Sequence, residues 1–538
     1  MRLLKYLFVL IALIFCLNMQ AQGNKKIDVL HYKFEISLSD NNDIVEGRAF
    51  IDFTALENSN TVAFDLTSLN KDGKGMKVSE VIWDPRNGKR PLTNLSYTHT
   101  DNQLAIDLKE LIQKGKTYTV SIHYAGIPAD GLIISKNKFG HRTFFSDNWP
   151  DRAHQWIPCN DDPSDKASVE FWVTAPSHYE VVANGVEKGT TITGSEKYSQ
   201  WVETVPLPTK VMVIGVADFA ISQADTVSGI PITSWAFPEN AKEGFNDYAP
   251  ASPILSFFID YIGPYPYKKL ANVQSKTIFG GMENASAIFY FENSVNGKQD
   301  QQSLIAHEIA HQWFGNMATE KSFAHLWLSE GFATYMAILY AERSEGSDKA
   351  KNMREEDRLQ VISFLKRWDR PVVDTVSPYM ELLNANSYQK GGWVLHMLRR
   401  QLGDSVFHQC IRSYYAAYAG KNADTRDLQH VFEKAAGKNL EDFFNQWLYT
   451  PGIPKLDIKW QYNAAEQKLN VSVAQLQKSP FKFPLELSIQ TAAGNKKETI
   501  QVAEANQTFS IPLTAKPKDV KADPDVNLLF EGKVGEIK

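Results

Sequence analysis

Cysteine is scarce in this 538-residue chain: there are three, Cys16, Cys159 and Cys410. That excludes a disulfide-stapled scaffold and any cysteine-rich metal module. Cys159 and Cys410 stand 251 positions apart, neither in a metal-ligand spacing with histidine, and read as two free buried thiols. An excess of positive charge is also missing. The formal net charge is −5 with acids and bases interspersed, so no basic stripe exists to bind nucleic acid. There is no internal repeat and no low-complexity tract. Only one long apolar run occurs, Leu7 to Leu17, and it is too short for a permanent membrane span.

That run has a meaning of its own. Arg2 and Lys5 precede it and NMQAQG follows, giving a charged n-region, an apolar h-region and small-residue cleavage options near Ala21 and Gln22. Residues 1–22 are therefore expected to be a signal peptide. Leu-Ile-Phe before Cys16 lacks the small residues of a lipidation site. The mature chain is expected to be soluble and exported, periplasmic or secreted, with no stable membrane span.

What is present is ordinary for globular protein: 43% hydrophobic and 22% charged residues. The length calls for two to four domains. Twelve Trp and 21 Tyr suit sheets and aromatic-lined clefts. From 23 to 215 strand patterns dominate. Tyr32, Phe34, Ile36 and Leu38 alternate with polar residues, as do Tyr118, Val120, Ile122 and Tyr124, with DNND, DGKG and NG as turn signals. This predicts an antiparallel β domain. From 216 to 450 the apolar spacing becomes three to four residues, in LIAHEIAHQWFG, LWLSEGFATYMAILYAER, KGGWVLHMLRRQLG and DLQHVFEKAAG, with Gly403 and Gly437 where helix ends would fall. After the breaker cluster TPGIP, alternation returns over 451–538, predicting a small β-sandwich-like domain. The fold class is multidomain α+β.

The chemistry concentrates in LIAHEIAHQWFGN, residues 304–316. His307 and His311 are four apart and share a helix face, so both can grip one ion. Glu308 is rotated by about 100° from His307, beside such an ion rather than on it, where a general base for water belongs. Catalytic zinc takes three protein ligands and keeps a position open. Glu330, 19 residues after His311 in LWLSEGFATY, is the candidate third ligand if a turn after Gly315 folds its helix back. Its flanks Leu328 and Phe332 predict burial, where an unpaired carboxylate is costly.

HEIAHQWFGN followed by WLSEGFATY resembles the M1 metallopeptidases, the aminopeptidase N and leukotriene A4 hydrolase group. Three further segments extend the resemblance, which covers roughly 28–460. GGMEN, Gly280 to Asn284, is similar to the family's GxMEN loop. The resemblance makes Glu283 the anchor of a substrate's free α-amine and Gly280, Gly281, Met282 and Asn284 the loop beside the substrate. Tyr388 in NSYQKGG matches the family's YxKG tyrosine, whose phenol supports the oxyanion. PCNDDPSDKA, Pro158 to Ala167, is similar to the family's PCFDEP segment; it lacks the glycine and terminal glutamate of a calcium loop and reads as a turn. The family's amine-binding glutamine, counted back about 11 residues from that proline, falls here on Asp147. This is a departure that leaves fine specificity open.

The resemblance implies a thermolysin-like catalytic domain holding one Zn2+ on His307, His311 and Glu330. It implies an aminopeptidase acting through a zinc-activated water on peptides with a free N-terminus. The region after 460 has room for the family's sandwich but not for the large helical domain that many members carry. Two alternatives remain at this level: a zinc endopeptidase or epoxide hydrolase on the same site, and a non-catalytic peptide-binding protein. The preferred N-terminal residue and the oligomeric state are not readable from the sequence.

Overall fold

The computed structural model describes residues 25–83 and 93–537. The expected signal peptide lies outside the described residues. The chain divides into two compact units, one of the residues up to Ser252 with Pro266–Gln299, the other of Pro253–Tyr265 with everything from Asp300 onward. Among the described residues, no helix is long and apolar enough to cross a membrane.

The first unit is built of sheets. Its largest has eight strands, and the alternation of Ile27–Ser37 turns Tyr32, Phe34 and Ile36 inward and Lys33, Glu35 and Ser37 outward. The pairing is not antiparallel throughout. Ile27–Ser37 runs antiparallel to Val45–Ala55 but parallel to Ala167–Pro176, with Phe34 opposite Phe171. Period two assigns a strand its faces and leaves its neighbour open. Residues 158–167 form the expected turn, with Ser164 N–H donating to Asp162 Oδ1 and Asp165 N–H to the Asp162 carbonyl.

A five-stranded sheet occupies 220–291, inside the stretch whose periodicity reads as helical. Its strands Leu270–Ser275 and Ala287–Phe291 pair in parallel and are buried on both faces. Such strands carry no alternation, so a short apolar run of this kind is indistinguishable from buried helix by period alone. The two-residue strand Gly281–Met282 pairs with its edge and leads into the Glu283 loop.

The second unit is helical up to Tyr449. Helices Gln302–His311, Trp327–Glu345, Ser347–Leu365, Gly391–Leu402, Asp404–Tyr418 and Thr425–Ala436 surround a core that includes the fully buried Trp313, Trp327, Trp393 and Trp447. Helices end at Gly403 and Gly437, and Asp424 caps the start of the last with a reciprocal Asp427 contact. Two small sheets follow, of four and three strands, burying Leu456, Ile458, Val471, Val473, Leu485, Leu487 and Ile489. Their loop 523–530 is tied to the helices. Arg358 pairs with Asp523, Arg354 donates to the Val526 carbonyl, and His396 Nε2 meets Asn527 Oδ1 at 3.1 Å.

Candidate metal centre

The helix Gln302–His311 buries Ile305, Ala306, Ile309 and Ala310, which leaves His307, Glu308 and His311 to converge on one edge of that core. The chain then unwinds. The Gly315 N–H donates to the Ala318 carbonyl and the Asn316 N–H to the His311 carbonyl. Gly315 sits at φ +115°, and a β-carbon there would stand 2.2 Å from Ser329 Oγ. Only glycine allows both that backbone and that approach. The next helix, Trp327–Glu345, packs back against the first, with Phe314 and Phe332 in ring contact at 4.5 Å, and carries Glu330 in its first turn.

Three donor atoms meet there. His307 Nε2 and His311 Nε2 are 3.0 Å apart. Glu330 Oε2 lies 3.3 Å from the first and 3.2 Å from the second. A tetrahedral zinc bonded at about 2.0–2.1 Å would space its ligands by roughly 3.3–3.4 Å, so the triangle fits such an ion closely. Donor chemistry agrees: two imidazoles and a carboxylate form a set that catalytic zinc takes with a position to spare.

Protonation is arranged to match. His311 Nδ1 lies 3.1 Å from both the Phe314 carbonyl oxygen and Ser329 Oγ. A carbonyl can only accept, so Nδ1 carries the proton and Nε2 presents its lone pair to the triangle. Burial pushes His307 below its ordinary value and favours the neutral ring a ligand needs. Burial alone would raise Glu330, but His311 and His307 outweigh it and hold the carboxyl ionised, well below its usual range.

Glu308 is buried, and one of its carboxylate oxygens lies within 4.8 Å of a His311 ring nitrogen. It is thus beside the triangle and not part of it. Tyr388 approaches from another direction. Its ring stacks parallel on His307, centroids 5.9 Å apart and planes 10° apart. It sits on the π-helical turn Asn386–Lys390, which runs straight into Gly391–Leu402. Two glycines make this approach possible. A β-carbon on Gly331 would stand 2.8 Å from Gly391 Cα, and one on Gly391 would stand 2.9 Å from Gly331 Cα. The helix bearing Glu330 and the helix that continues the Tyr388 turn therefore meet backbone to backbone. Gly331→Ala should force them apart at a destabilisation of about 1–3 kcal/mol, the usual range for overpacking. Urea unfolding checks this; an unchanged midpoint would remove the crossing from the account.

Thus one compact unit gathers His307, Glu308, His311, Glu330 and Tyr388. Gly280, Gly281, Met282, Glu283, Asn284 and Asp147 belong to the other, along one loop and its support. Gly280 is exposed, Met282 and Glu283 are buried, and Asn284 is fully enclosed. Asp147 requires a correction. It has no exposure, and its carboxylate is engaged on both oxygens. Oδ1 accepts from Arg152 Nη2 at 2.8 Å; Oδ2 accepts from Thr277 Oγ1 at 2.9 Å and from the Ile278 N–H at 3.0 Å. These contacts make it a latch on the segment leading to GGMEN, not an open amine ligand. Asp147→Ala would remove the acceptor of the Thr277 hydroxyl and the Ile278 N–H, a loss of about 1–3 kcal/mol, while Arg152 keeps its pair with Asp130. Hydrogen exchange of the 277–284 amides should accelerate; unchanged protection would remove the latch.

Other supporting residues escaped the sequence reading: Ser329, whose only signal is a small hydroxyl one place before Glu330, and Asn386, whose side-chain amide donates to the Arg370 carbonyl at 2.8 Å.

A two-histidine, one-carboxylate triangle with a base beside it is the construction of a metal-dependent hydrolase. The comparisons narrow this to a family. Residues 29–211 match the peptidase M1 N-terminal domain and residues 248–447 the peptidase family M1 domain. The chain belongs to peptidase family M1. It is 27% identical over 410 residues to aminopeptidase N of Canis lupus familiaris, covering 68% of this chain and 41% of that protein. It is 29% identical over 339 residues to aminopeptidase N of Homo sapiens, covering 57% and 35%. It is 28% identical over 344 residues to glutamyl aminopeptidase of Rattus norvegicus, covering 60% and 36%. The matched region thus spans well under half the length of these relatives.

Proposed function

We propose that the protein is an exported zinc aminopeptidase that removes single residues from the free N-terminus of peptides. The observation carrying this reading is the donor triangle of His307, His311 and Glu330 with Glu308 and Tyr388 at its side. Zinc, when bound by those three residues, supplies Lewis acidity to the scissile carbonyl and lowers the pKa of water. Glu308 takes the proton from the attacking water and returns it to the leaving amine. Tyr388 donates its phenolic hydrogen to the oxygen on which negative charge develops. Ser329 and the Phe314 carbonyl hold His311 in the tautomer and orientation that binding requires.

Glu283 holds the substrate's α-ammonium by a charge-assisted contact. The support is the GGMEN motif together with relatives named as aminopeptidases. A chain continuing past its N-terminus would carry no ammonium for Glu283 to bind, which is why the exopeptidase reading stands above an endopeptidase. Export rests on the character of residues 1–22 and implies a periplasmic or secreted enzyme.

The test is a peptide panel with free and N-acetylated termini, each with and without a zinc chelator. Release of single N-terminal residues, abolished by acetylation and by chelation, is the expected result. Internal cleavage indifferent to acetylation would keep the metal centre and overturn the role of Glu283.

A further inference from the structure

The turn that carries Tyr388 contains a cation that the chemistry above does not use. Lys390 is fully buried. Its Nζ donates to the Gly452 carbonyl oxygen at 2.8 Å. Burial draws the lysine down to about 7 and outweighs the opposing charge of Asp369. A buried lysine is expensive unless its hydrogen bonds are needed, and methionine would fill the same volume without that cost. What the ammonium grips is informative. Gly452 lies in the Pro451–Pro454 join, where the helices end and the C-terminal sheets begin, and has φ +82°. Its carbonyl is aimed by a backbone conformation that glycine tolerates and other residues resist. The same turn is held at its other end by Asn386, which donates to the Arg370 carbonyl. Nearby, the Val372 and Val373 N–H groups both donate to the Leu448 carbonyl, tying that strand of chain to the residues just before the join.

We infer that Lys390 is a positioning residue for Tyr388: its buried ammonium fastens the phenol-bearing turn to the backbone of the Pro451–Pro454 join. The placement of the phenol over His307 then depends on how the C-terminal β module is attached. The functional half of this inference rests on the proposed hydrolytic role of Tyr388; the positional half does not.

Two readouts keep those halves apart. The first is 19F NMR of metal-free protein labelled with 3-fluorotyrosine, the Tyr388 resonance being assigned by its loss in Tyr388→Phe. Lys390→Met should shift or broaden that resonance. The second is steady-state kinetics at verified zinc content. Lys390→Met should keep one zinc per chain and KM within about twofold while kcat falls about 10–100-fold, the scale of a misplaced reacting group. In a Tyr388→Phe background the same change should cost less than about twofold, because the residue it positions no longer donates.

An equal loss of kcat in both backgrounds would overturn the inference, as would an unmoved resonance. If Lys390→Met does not fold, Gly452→Ala replaces it. No side chain stands closer than 3.7 Å to the added β-carbon, so that variant strains the φ of the acceptor and leaves Lys390 in place. Its loss of kcat should likewise vanish in the Tyr388→Phe background, and a loss that persists there would overturn the inference. Absence of peptide cleavage by the parent would count against the proposed activity, and the resonance would then decide the position of Tyr388 by itself.

Discussion

Glu308→Gln should bind zinc as the parent does and lose turnover by about 10²–10⁴-fold, the contribution of a positioned general base. The substitution is close to isosteric and removes basicity alone. The three donors of the triangle, His307, His311 and Glu330, are untouched by it. Glu308 is buried in a helix whose other buried residues are Ile305, Ala306, Ile309, Ala310 and His311, so an amide of the same shape keeps the packing. KM should change little, since the base acts in the transition state and not in substrate binding. Metal analysis with kcat and KM is the measurement. A variant with full zinc and parental kcat would move the base elsewhere.

Tyr388→Phe should lower kcat by about 10²–10³-fold with KM nearly unchanged, the effect of deleting one preorganised donor to a developing oxyanion. Phenylalanine preserves the ring that stacks on His307 at 5.9 Å, so the hydroxyl is the only group lost. This separates two roles: the ring packs on His307, and the hydroxyl is the proposed donor to the oxyanion. Near-parental kcat would leave it the packing role alone. A loss of bound zinc would show instead that the ring itself steadies His307.

The grouping of His307, His311 and Glu330 was legible because its geometry is local. Two histidines at i and i+4 on a helix share a face whatever surrounds them. Glu330 follows within one helix–turn–helix, and Gly315 marks the turn. The alternating strands of the first unit were legible for the same reason, since period two sorts faces without reference to any partner. The sheet at 220–291 was not, because strands covered on both faces lose that alternation.

Long-range partners lay beyond any such reading. Asp147 looked like an open acid near a family position; Thr277 and Ile278, 130 and 131 positions away, occupy it. Lys390 looked like part of a motif; its partner is the Gly452 carbonyl, 62 positions on. Gly331 and Gly391 stand 60 positions apart, and their backbones touch.

By itself, the sequence determined the alternating strands, the long helices and the grouping of His307, Glu308, His311 and Glu330, since each depends on a local period, on spacing along one helix or on the step to the next. The tertiary structure alone decided which strands are neighbours, what holds the GGMEN loop and what steadies Tyr388. Those contacts join residues far apart in the chain, and they are selected by the packing of whole elements, which no local period records.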